Sequence, residues 1–246
     1  MVSGTSLMAY SKGVEMVKSL KNSQFYCDTV PQEIYDSYNE FIYSKDRNLF
    51  AKLASKLHFC ELTKNIPGDV VELGVFKGSG MLAWLKANEV TSVNHKHVFG
   101  FDIFDQEKLV ASTTSKDAQL VDKLFTERSF KPDGFEKILE GIVLEAGFEN
   151  FEVIVGNVFE TVPIFLDENP GFRASIINFD LDTYEPTAFC LEHFWQRLVS
   201  GGVMLFDEYA VKEWTESDAV DEFIANKSLK LLATNYVFPS AYLVKP

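Results

Sequence analysis

The sequence predicts an α/β protein with an open, mostly parallel sheet of seven strands and helices on both faces. From residue 70 onward, short apolar runs alternate with segments of helical spacing, a pattern typical of successive βαβ units. Two apolar runs, at 174–179 and 202–206, are each followed by an acid, Asp180 and Asp207. Because a strand–helix–strand crossover of this length is parallel and right-handed, we expect both acids at one edge of the sheet.

The order of the elements follows from local patterns along the chain. Leucines at helical spacing predict a helical N-terminal extension or lid over residues 1–64, and the Pro67-Gly68 break separates it from a sheet domain over 65–246. The predicted strands are 70–75, 97–101, 151–155, 174–179, 202–206, 229–234 and 241–244. The predicted helices are 79–88, 135–146, 158–166, 186–198 and 215–225, and the polar stretch 105–134 is interpreted as an insertion or lid.

Composition excludes several classes of protein. A hydrophobic content of 46% supports a large buried core, and a net charge of −13 without a basic segment argues against nucleic-acid binding. Cys27, Cys60 and Cys190 lack the spacing of a metal site and are interpreted as thiols in a reducing compartment. The sequence shows no hydrophobic leader and no apolar run of membrane length. We therefore expect a cytoplasmic protein without a membrane partner.

A turn rich in glycine, between the first strand and the helix after it, is a candidate cofactor site. It contains Glu72, Gly74, Gly78 and Ser79, and a ligand can approach the backbone there and meet the free N–H groups of the helix start. The spacing differs from the G-x-G-x-x-G of dinucleotide enzymes, and an acid before the glycine would repel phosphate. Such an acid instead suits the amino group and sulfonium of S-adenosylmethionine.

Two further positions support that cofactor. Asp102 ends the second strand, where an acid accepts hydrogen bonds from ribose hydroxyls. Gly156 and Asn157 follow the third strand, where such folds contact the adenine, although an ordinary turn explains them equally well. Together with the glycine turn, these positions predict a class I methyltransferase (Rossmann-like) sheet.

A group of carboxylates forms the second candidate site. Asp207 is followed at once by Glu208, so three acids, counting Asp180, converge on one sheet edge. They would repel each other unless a cation or a proton neutralised them, and a site of carboxylate oxygens selects Mg²⁺, Mn²⁺ or Ca²⁺. Asp182 and Glu185 lie in the same stretch, but each has an alternative role at the N-terminus of the next helix.

At these residues the chain resembles the macrocin-like (TylF/MycF-type) sugar O-methyltransferases. The resemblance runs from about residue 46 to the C-terminus, in order and in register. Its centre is the D-x-D-x-Y-E motif that extends from Asp180 to Glu185. The other matching stretches are 66–75 with Gly78, 102–104, 156–163, 186–187, 198–202, 207–209 and 219–223.

The resemblance implies S-adenosylmethionine and Mg²⁺ as cofactors and a sugar-containing small molecule, a glycosylated natural product, as the methyl acceptor. It also implies that Asp180, Asp207 and Glu208 hold the metal. The family usually has Asp at the last of these positions, so Glu208 is a departure that can shift the metal or loosen its selection. Asp180 is expected to take the proton of the sugar hydroxyl as general base.

Other functions stay open at this point. A methyltransferase acting on catechol-type phenols would share the sheet and the metal, and a non-catalytic S-adenosylmethionine-binding protein would share the fold. A nicotinamide-linked oxidoreductase is disfavoured by the glycine spacing. The identity of the acceptor depends on loops such as 1–45 and 105–134, for which fold analogy gives no information. Aromatic residues in the N-terminal segment further predict a homo-oligomer interface there.

Overall fold

The structure, a computed structural model, describes residues 32–91, 95–105, 107–109, 113, 117–127 and 134–246. Its sheet has seven strands in the order β3-β2-β1-β4-β5-β7-β6. The strands are β1 (Asp69–Leu73), β2 (Val98–Asp102), β3 (Phe151–Val155), β4 (Ala174–Phe179), β5 (Leu198–Phe206), β6 (Leu232–Ala233) and β7 (Ala241–Val244). All neighbouring pairs are parallel except those of β7, which runs antiparallel to β5 and β6. The predicted mostly parallel sheet of seven strands is confirmed.

Helices cover both faces of this sheet. Successive side chains of a strand point to opposite faces, so in β4 Ile177 joins one hydrophobic core and Ile176 joins the other. The first core is covered by α6 (Val158–Glu168), α7 (Tyr184–Trp195) and α8 (Glu216–Lys227). The second is covered by α2 (Asn48–Thr63), α3 (Ser79–Thr91) and α5 (Phe135–Glu145). Two further described helices are α1 (Gln32–Tyr43) and α4 (Ala118–Glu127).

Several predicted boundaries are wrong, each for a local reason. Strand β1 ends at Leu73 and not at residue 75, because Gly74 turns the chain with a φ of 93°. Strand β5 begins at Leu198, where a helix was expected, because this residue pairs with Ala174 of β4. The predicted strand 229–234 shortens to Leu232–Ala233. The expected irregular stretch 105–134 contains helix α4, and much of the remainder lies outside the described residues.

The chain divides into two compact units, the first ending at Arg47 and the second spanning Asn48–Pro246. In the first, α1 has no buried residue. In the second, α2 packs against α3, although the sequence assigned it to the extension 1–64. The domain division at residue 64 stays a prediction, and residues 1–31, with Cys27, lie outside the described part. Among the described helices, none combines the length and the apolar character needed to cross a membrane.

Candidate active site

The carboxyl ends of β1, β4 and β5 bring the predicted site residues to one level of the sheet. Leu73, Phe179 and Phe206 are partners in the parallel register. The next residue of each strand continues the ladder, because the Asp180 N–H donates to Leu73 O at 2.9 Å and the Asp207 N–H donates to Phe179 O at 3.0 Å. The two acids therefore meet at the sheet edge, as the crossover argument expects.

Asp180, Asp207 and Glu208 form a cluster, called here the carboxylate centre. One carboxylate oxygen from each lies within 4.8 Å of those of the other two. Asp207 is buried with a side chain only 3% exposed, whereas that of Asp180 is 28% exposed. The Glu208 N–H donates to Oε1 of the buried Glu216 at 3.0 Å, which holds the turn after β5. A compact set of oxygen donors suits a hard divalent cation.

Lys52 of α2 enters the carboxylate centre, a feature that the sequence analysis missed. Its Nζ lies 2.5 Å from Asp207 Oδ2 and 3.3 Å from Asp180 Oδ2. Burial lowers the pKa of Lys52, but the charges of Asp180 and Asp207 outweigh burial, so its pKa is raised and it stays an ammonium. In the sequence, the only sign of this role is that Lys52 and Lys56 are spaced to lie on one face of a helix. Such a pair of lysines usually faces solvent.

Three acids in or beside the centre, Asp182, Asp207 and Glu216, have raised pKa values. Burial, followed by the charge of Asp180, raises the pKa of Asp207 to about 8, and Lys52 opposes this. Burial and the neighbouring carboxylates also raise the pKa values of Asp182 and Glu216. Asp182 does not cap the next helix, because Thr183 occupies the N-cap of α7. The buried carboxyl groups therefore repel one another, and the ammonium of Lys52 offsets this repulsion only in part.

The glycines of the predicted cofactor turn permit close packing. Gly74 has a φ of 93°, and a β-carbon there would overlap the carbonyl oxygen of Asp180. Gly78 has a φ of 82°, and a β-carbon would overlap Leu139 of α5. Ser79 is exposed at the start of α3. The turn lies directly beside the carboxylate centre, and cofactor contacts at Gly74, Gly78 and Ser79 stay predictions.

Asp102 shapes the same turn from the end of β2. Its Oδ2 accepts hydrogen bonds from the N–H groups of Val75 at 3.0 Å and Phe76 at 2.7 Å, and its Oδ1 accepts from Phe104 N–H at 2.7 Å. Phe76 has a φ of 52°, in the left-handed region that costs a non-glycine residue free energy. Asp102 thus stabilises a strained turn, and its predicted ribose contact stays a prediction.

Gly156 and Asn157 build the turn after β3. The Gly156 N–H donates to Asp102 O at 2.9 Å, and Asn157 caps α6 by accepting from Phe159 N–H at 3.1 Å. This is the ordinary turn that the sequence analysis held equally plausible, with an N-cap side chain of the favoured type. An adenine contact at Gly156 and Asn157 stays a prediction.

Part of the predicted lid is anchored next to the site. Asp117 precedes α4, is buried, and accepts a short hydrogen bond from the Thr215 hydroxyl at the start of α8. The Thr215 oxygen in turn accepts from the Tyr184 N–H of α7 at 2.9 Å. These hydrogen bonds link the N-termini of α4, α7 and α8.

Glu72 lies in β1, just before the glycine turn, and only 1% of the residue is exposed. Its Oε1 pairs with Lys56 Nζ at 3.3 Å, and its carboxylate lies against Gly80 at the start of α3. Its Oε2 is buried with no hydrogen-bond partner among the described residues. Burial raises the pKa of Glu72 to about 7, opposed by Lys56. A buried carboxylate oxygen without a partner is a position where the amino group of a ligand would be favourable.

Glu72→Gln is expected to remove part of the pH dependence of stability. The folded Glu72 keeps its proton up to a pKa of about 7, whereas the ordinary value is 4.5. At Glu72 the folded state therefore binds more protons than the unfolded state between these values, so the contribution of Glu72 to the free energy of unfolding falls as pH rises from 4.5 to 7. We expect a contribution of about 1–3 kcal/mol to this fall, measured by urea unfolding at several pH values.

The quantity to compare is the slope of the free energy of unfolding against pH. The variant also changes the partner of Lys56, which shifts stability at every pH without changing this slope. Glu145→Gln, at an exposed position of α5, is the control and should keep the wild-type slope. Equal slopes for Glu72→Gln and the wild type would contradict the assignment.

Comparisons with known proteins agree with this architecture. The sequence profile of the family described as macrocin-O-methyltransferase (TylF) matches residues 52–235. A 4'-O-methyltransferase of Streptomyces olivaceus that acts on 8-demethyl-8-(2,3-dimethoxy-alpha-L-rhamnosyl)-tetracenomycin C is 31% identical over 170 residues. That alignment covers 65% of this chain and 61% of the relative, so the chain spans about three fifths of the relative's length.

Solved structures share the fold at low sequence identity. The calicheamicin methyltransferase CalS11 has a TM-score of 0.69 at 23% identity, with 95% of this chain and 91% of that chain covered. The O-methyltransferase TomG of Streptomyces achromogenes, solved in complex with SAM, has a TM-score of 0.51 at 12% identity, with 96% and 98% covered. At these identities the likeness shows the fold, and the predicted class I methyltransferase sheet is confirmed.

Proposed function

The chain belongs to the macrocin-O-methyltransferase (TylF) family, and from this premise we propose that it transfers a methyl group from S-adenosylmethionine to a sugar hydroxyl of a glycosylated natural product. The observation that carries the proposal is the carboxylate centre of Asp180, Asp207 and Glu208, with oxygens within 4.8 Å of one another. It lies beside the glycine turn at the sheet edge where α/β folds bind their ligands. The 31% identical relative acts on a tetracenomycin that carries a rhamnosyl group, which supports a sugar-containing acceptor.

The glycine turn is the proposed site of S-adenosylmethionine. Glu72 has a buried oxygen without a hydrogen-bond partner among the described residues, which is the proposed partner of the cofactor's amino group, and Asp102 at the end of β2 is the proposed partner of the ribose. Gly74 and Gly78 keep side chains out of the turn, and Ser79 begins the helix whose free N–H groups face it. Gly156 and Asn157 are the proposed neighbours of the adenine.

The carboxylate centre fits Mg²⁺. Its donors are all carboxylate oxygens, and it already attracts a cation, the ammonium of Lys52. Asp180, Asp207 and Glu208 would hold the ion, with the longer side chain of Glu208 replacing the Asp that is usual in the family. When bound, Mg²⁺ supplies Lewis acidity and a fixed orientation for the acceptor hydroxyls.

Asp180 is the proposed general base. Its side chain is 28% exposed, so a hydroxyl of the acceptor can reach it, whereas the 3% exposed side chain of Asp207 is out of reach. The acceptor oxygen forms a bond to the methyl carbon while the carbon–sulfur bond breaks, and the hydroxyl proton passes to Asp180. The sulfonium supplies the driving force, so the chain contributes alignment and proton removal. The products are the methyl ether and S-adenosylhomocysteine.

Calorimetric titration of S-adenosylhomocysteine, and separately of Mg²⁺, tests both cofactor sites. We expect the wild type to bind both ligands and an Asp180→Asn/Asp207→Asn variant to bind the nucleoside alone. This is expected because the two acids lie in the carboxylate centre, whereas the proposed nucleoside contacts lie at the ends of β1, β2 and β3. Absence of nucleoside binding would overturn the cofactor assignment. If the protein methylated catechols but no sugar conjugate, the proposed acceptor would be a phenol and not a sugar.

The homo-oligomer and the cytoplasmic location predicted from the sequence stay predictions. Helix α1 exposes apolar and aromatic side chains that would suit an interface, namely Ile34, Tyr35, Tyr38, Ile42 and Tyr43.

A further inference from the structure

We propose that Lys52 is a tethered counter-cation of the carboxylate centre, which a divalent ion must displace in order to bind. The inference rests on the proposed metal site and concerns how that site is loaded. It assigns to a residue of α2 a role in metal affinity that the three carboxylates alone do not reveal.

The first support is the position of the ammonium. Lys52 Nζ contacts one oxygen of Asp207 at 2.5 Å and one of Asp180 at 3.3 Å. Asp180 and Asp207, with Glu208, are the residues whose oxygens converge within 4.8 Å. A divalent ion needs such oxygens at about 2.0–2.6 Å. The ion and the ammonium would therefore compete for the same two carboxylates at a separation where like charges repel strongly.

The second support is the charge that the centre must neutralise. Asp180, Asp207 and Glu208 bring three carboxyl groups within 4.8 Å of one another, and the side chain of Asp207 is only 3% exposed. Burying such a group without a cation is costly. Lys52 thus stabilises the fold when the metal is absent, and its positive charge reduces the free energy gained when a metal arrives.

The third support is that the displaced ammonium of Lys52 has access to solvent and to an aromatic ring. The Lys52 side chain is 30% exposed and has a flexible four-carbon stem. Its Nζ lies 5.5 Å from the centre of the Phe238 ring, within the range of a cation–π contact. Lys56, one turn later, has a side chain only 8% exposed and pairs with Glu72. Of these two inward-facing lysines, only Lys52 combines contact with the carboxylate centre and access to solvent.

Metal affinity of the intact protein tests the proposal. Mg²⁺ is titrated calorimetrically into the wild type, Lys52→Met, which keeps the length of the side chain, and Lys52→Arg, which keeps the charge. Lys64→Met is the matched control, because Lys64 also pairs with a carboxylate, Glu61 at 2.5 Å, but at an exposed position after α2. We expect Lys52→Met to bind Mg²⁺ about tenfold more tightly than the wild type, and the other two variants to bind no more tightly than the wild type.

A second measurement uses the wild type alone. Acylation of lysines, followed by peptide mass spectrometry, reports which amines reach solvent. The reactivity of Lys52 should rise severalfold when Mg²⁺ is added. Lys96 serves as the internal control, because its buried Nζ donates to Thr63 O, Ile66 O and Ser175 Oγ and should stay unreactive.

The outcomes separate this proposal from the proposed function. Equal or weaker Mg²⁺ binding by Lys52→Met, with wild-type binding intact, would overturn the role of Lys52 and leave the metal site standing. Unchanged Lys52 reactivity on Mg²⁺ binding would do the same, even if Lys52→Met failed to fold. Absence of Mg²⁺ binding in every variant would overturn both proposals.

Discussion

Asp180→Asn is expected to reduce methyl transfer by at least about 10³-fold, while S-adenosylhomocysteine affinity stays close to that of the wild type. The amide that replaces the carboxylate is a poor proton acceptor and a weak metal ligand. The same change therefore removes the proposed base and one donor of the carboxylate centre. The nucleoside affinity should survive, because the carboxylate of Asp180 pairs with Lys52, whereas the atom of Asp180 nearest to a β-carbon at Gly74 is its carbonyl oxygen.

Three measurements make this result interpretable. Turnover gives the catalytic loss, calorimetry with the nucleoside shows an intact cofactor site, and calorimetry with Mg²⁺ shows the metal contribution. Asp167→Asn is the matched control, since Asp167 is exposed near the end of α6, at the sheet edge opposite the carboxylate centre. It should leave all three quantities unchanged. Near-wild-type turnover of Asp180→Asn would refute the assignment of Asp180 as base.

The base and ligand roles of Asp180 can be separated by comparison with Asp207. Asp207→Asn alters the metal centre at a side chain only 3% exposed, which no acceptor reaches directly. If Asp180 acts only as a ligand, both variants should lose similar activity, and excess Mg²⁺ should restore both to a similar degree. If it is also the base, Asp180→Asn should stay inactive at Mg²⁺ concentrations that rescue Asp207→Asn.

Gly74→Ala is expected to lower the free energy of unfolding by about 3 kcal/mol or more. Gly74 has a φ of 93°, where an alanine is strained, and its β-carbon would overlap the carbonyl oxygen of Asp180. Relief of that overlap requires β1 and β4 to separate at the sheet edge. We therefore expect the variant to bind Mg²⁺ and the nucleoside more weakly as well, because both proposed sites border this contact. Urea unfolding measures the loss of stability.

Gly141→Ala provides the matched control. Gly141 lies inside α5, and a β-carbon there would have no atom of the described residues within 4 Å apart from its chain neighbours and its own helix backbone. Alanine is the better helix former, so this variant should gain about 0.5–1 kcal/mol of stability. A neutral effect of Gly74→Ala would mean that the turn after β1 relaxes freely, and the close approach of β1 and β4 would then have no role in placing Asp180.

Much of the fold could be predicted because its signals are local. Side chains alternate between faces along a strand, and a crossover between parallel strands has one handedness. From these rules, Asp180 and Asp207 could be placed at one edge although 27 positions separate them. Predicted boundaries were wrong where a local sequence pattern competes with strand pairing. Leu198, for example, pairs with Ala174 of β4 instead of continuing a helix. Propensity is a weak guide where a sheet partner is available.

The sequence by itself therefore determined the sheet, the edge and the acids that meet there. Only the tertiary structure decided what surrounds them. Lys52 reaches Asp180 across 128 positions of the chain, and no periodicity encodes the approach of a helix to a strand end so far away. The same holds for Glu72, whose burial against Gly80 and pairing with Lys56 depend on how α2 and α3 pack. Charge and burial in the site are set by packing between elements, which a local pattern does not specify.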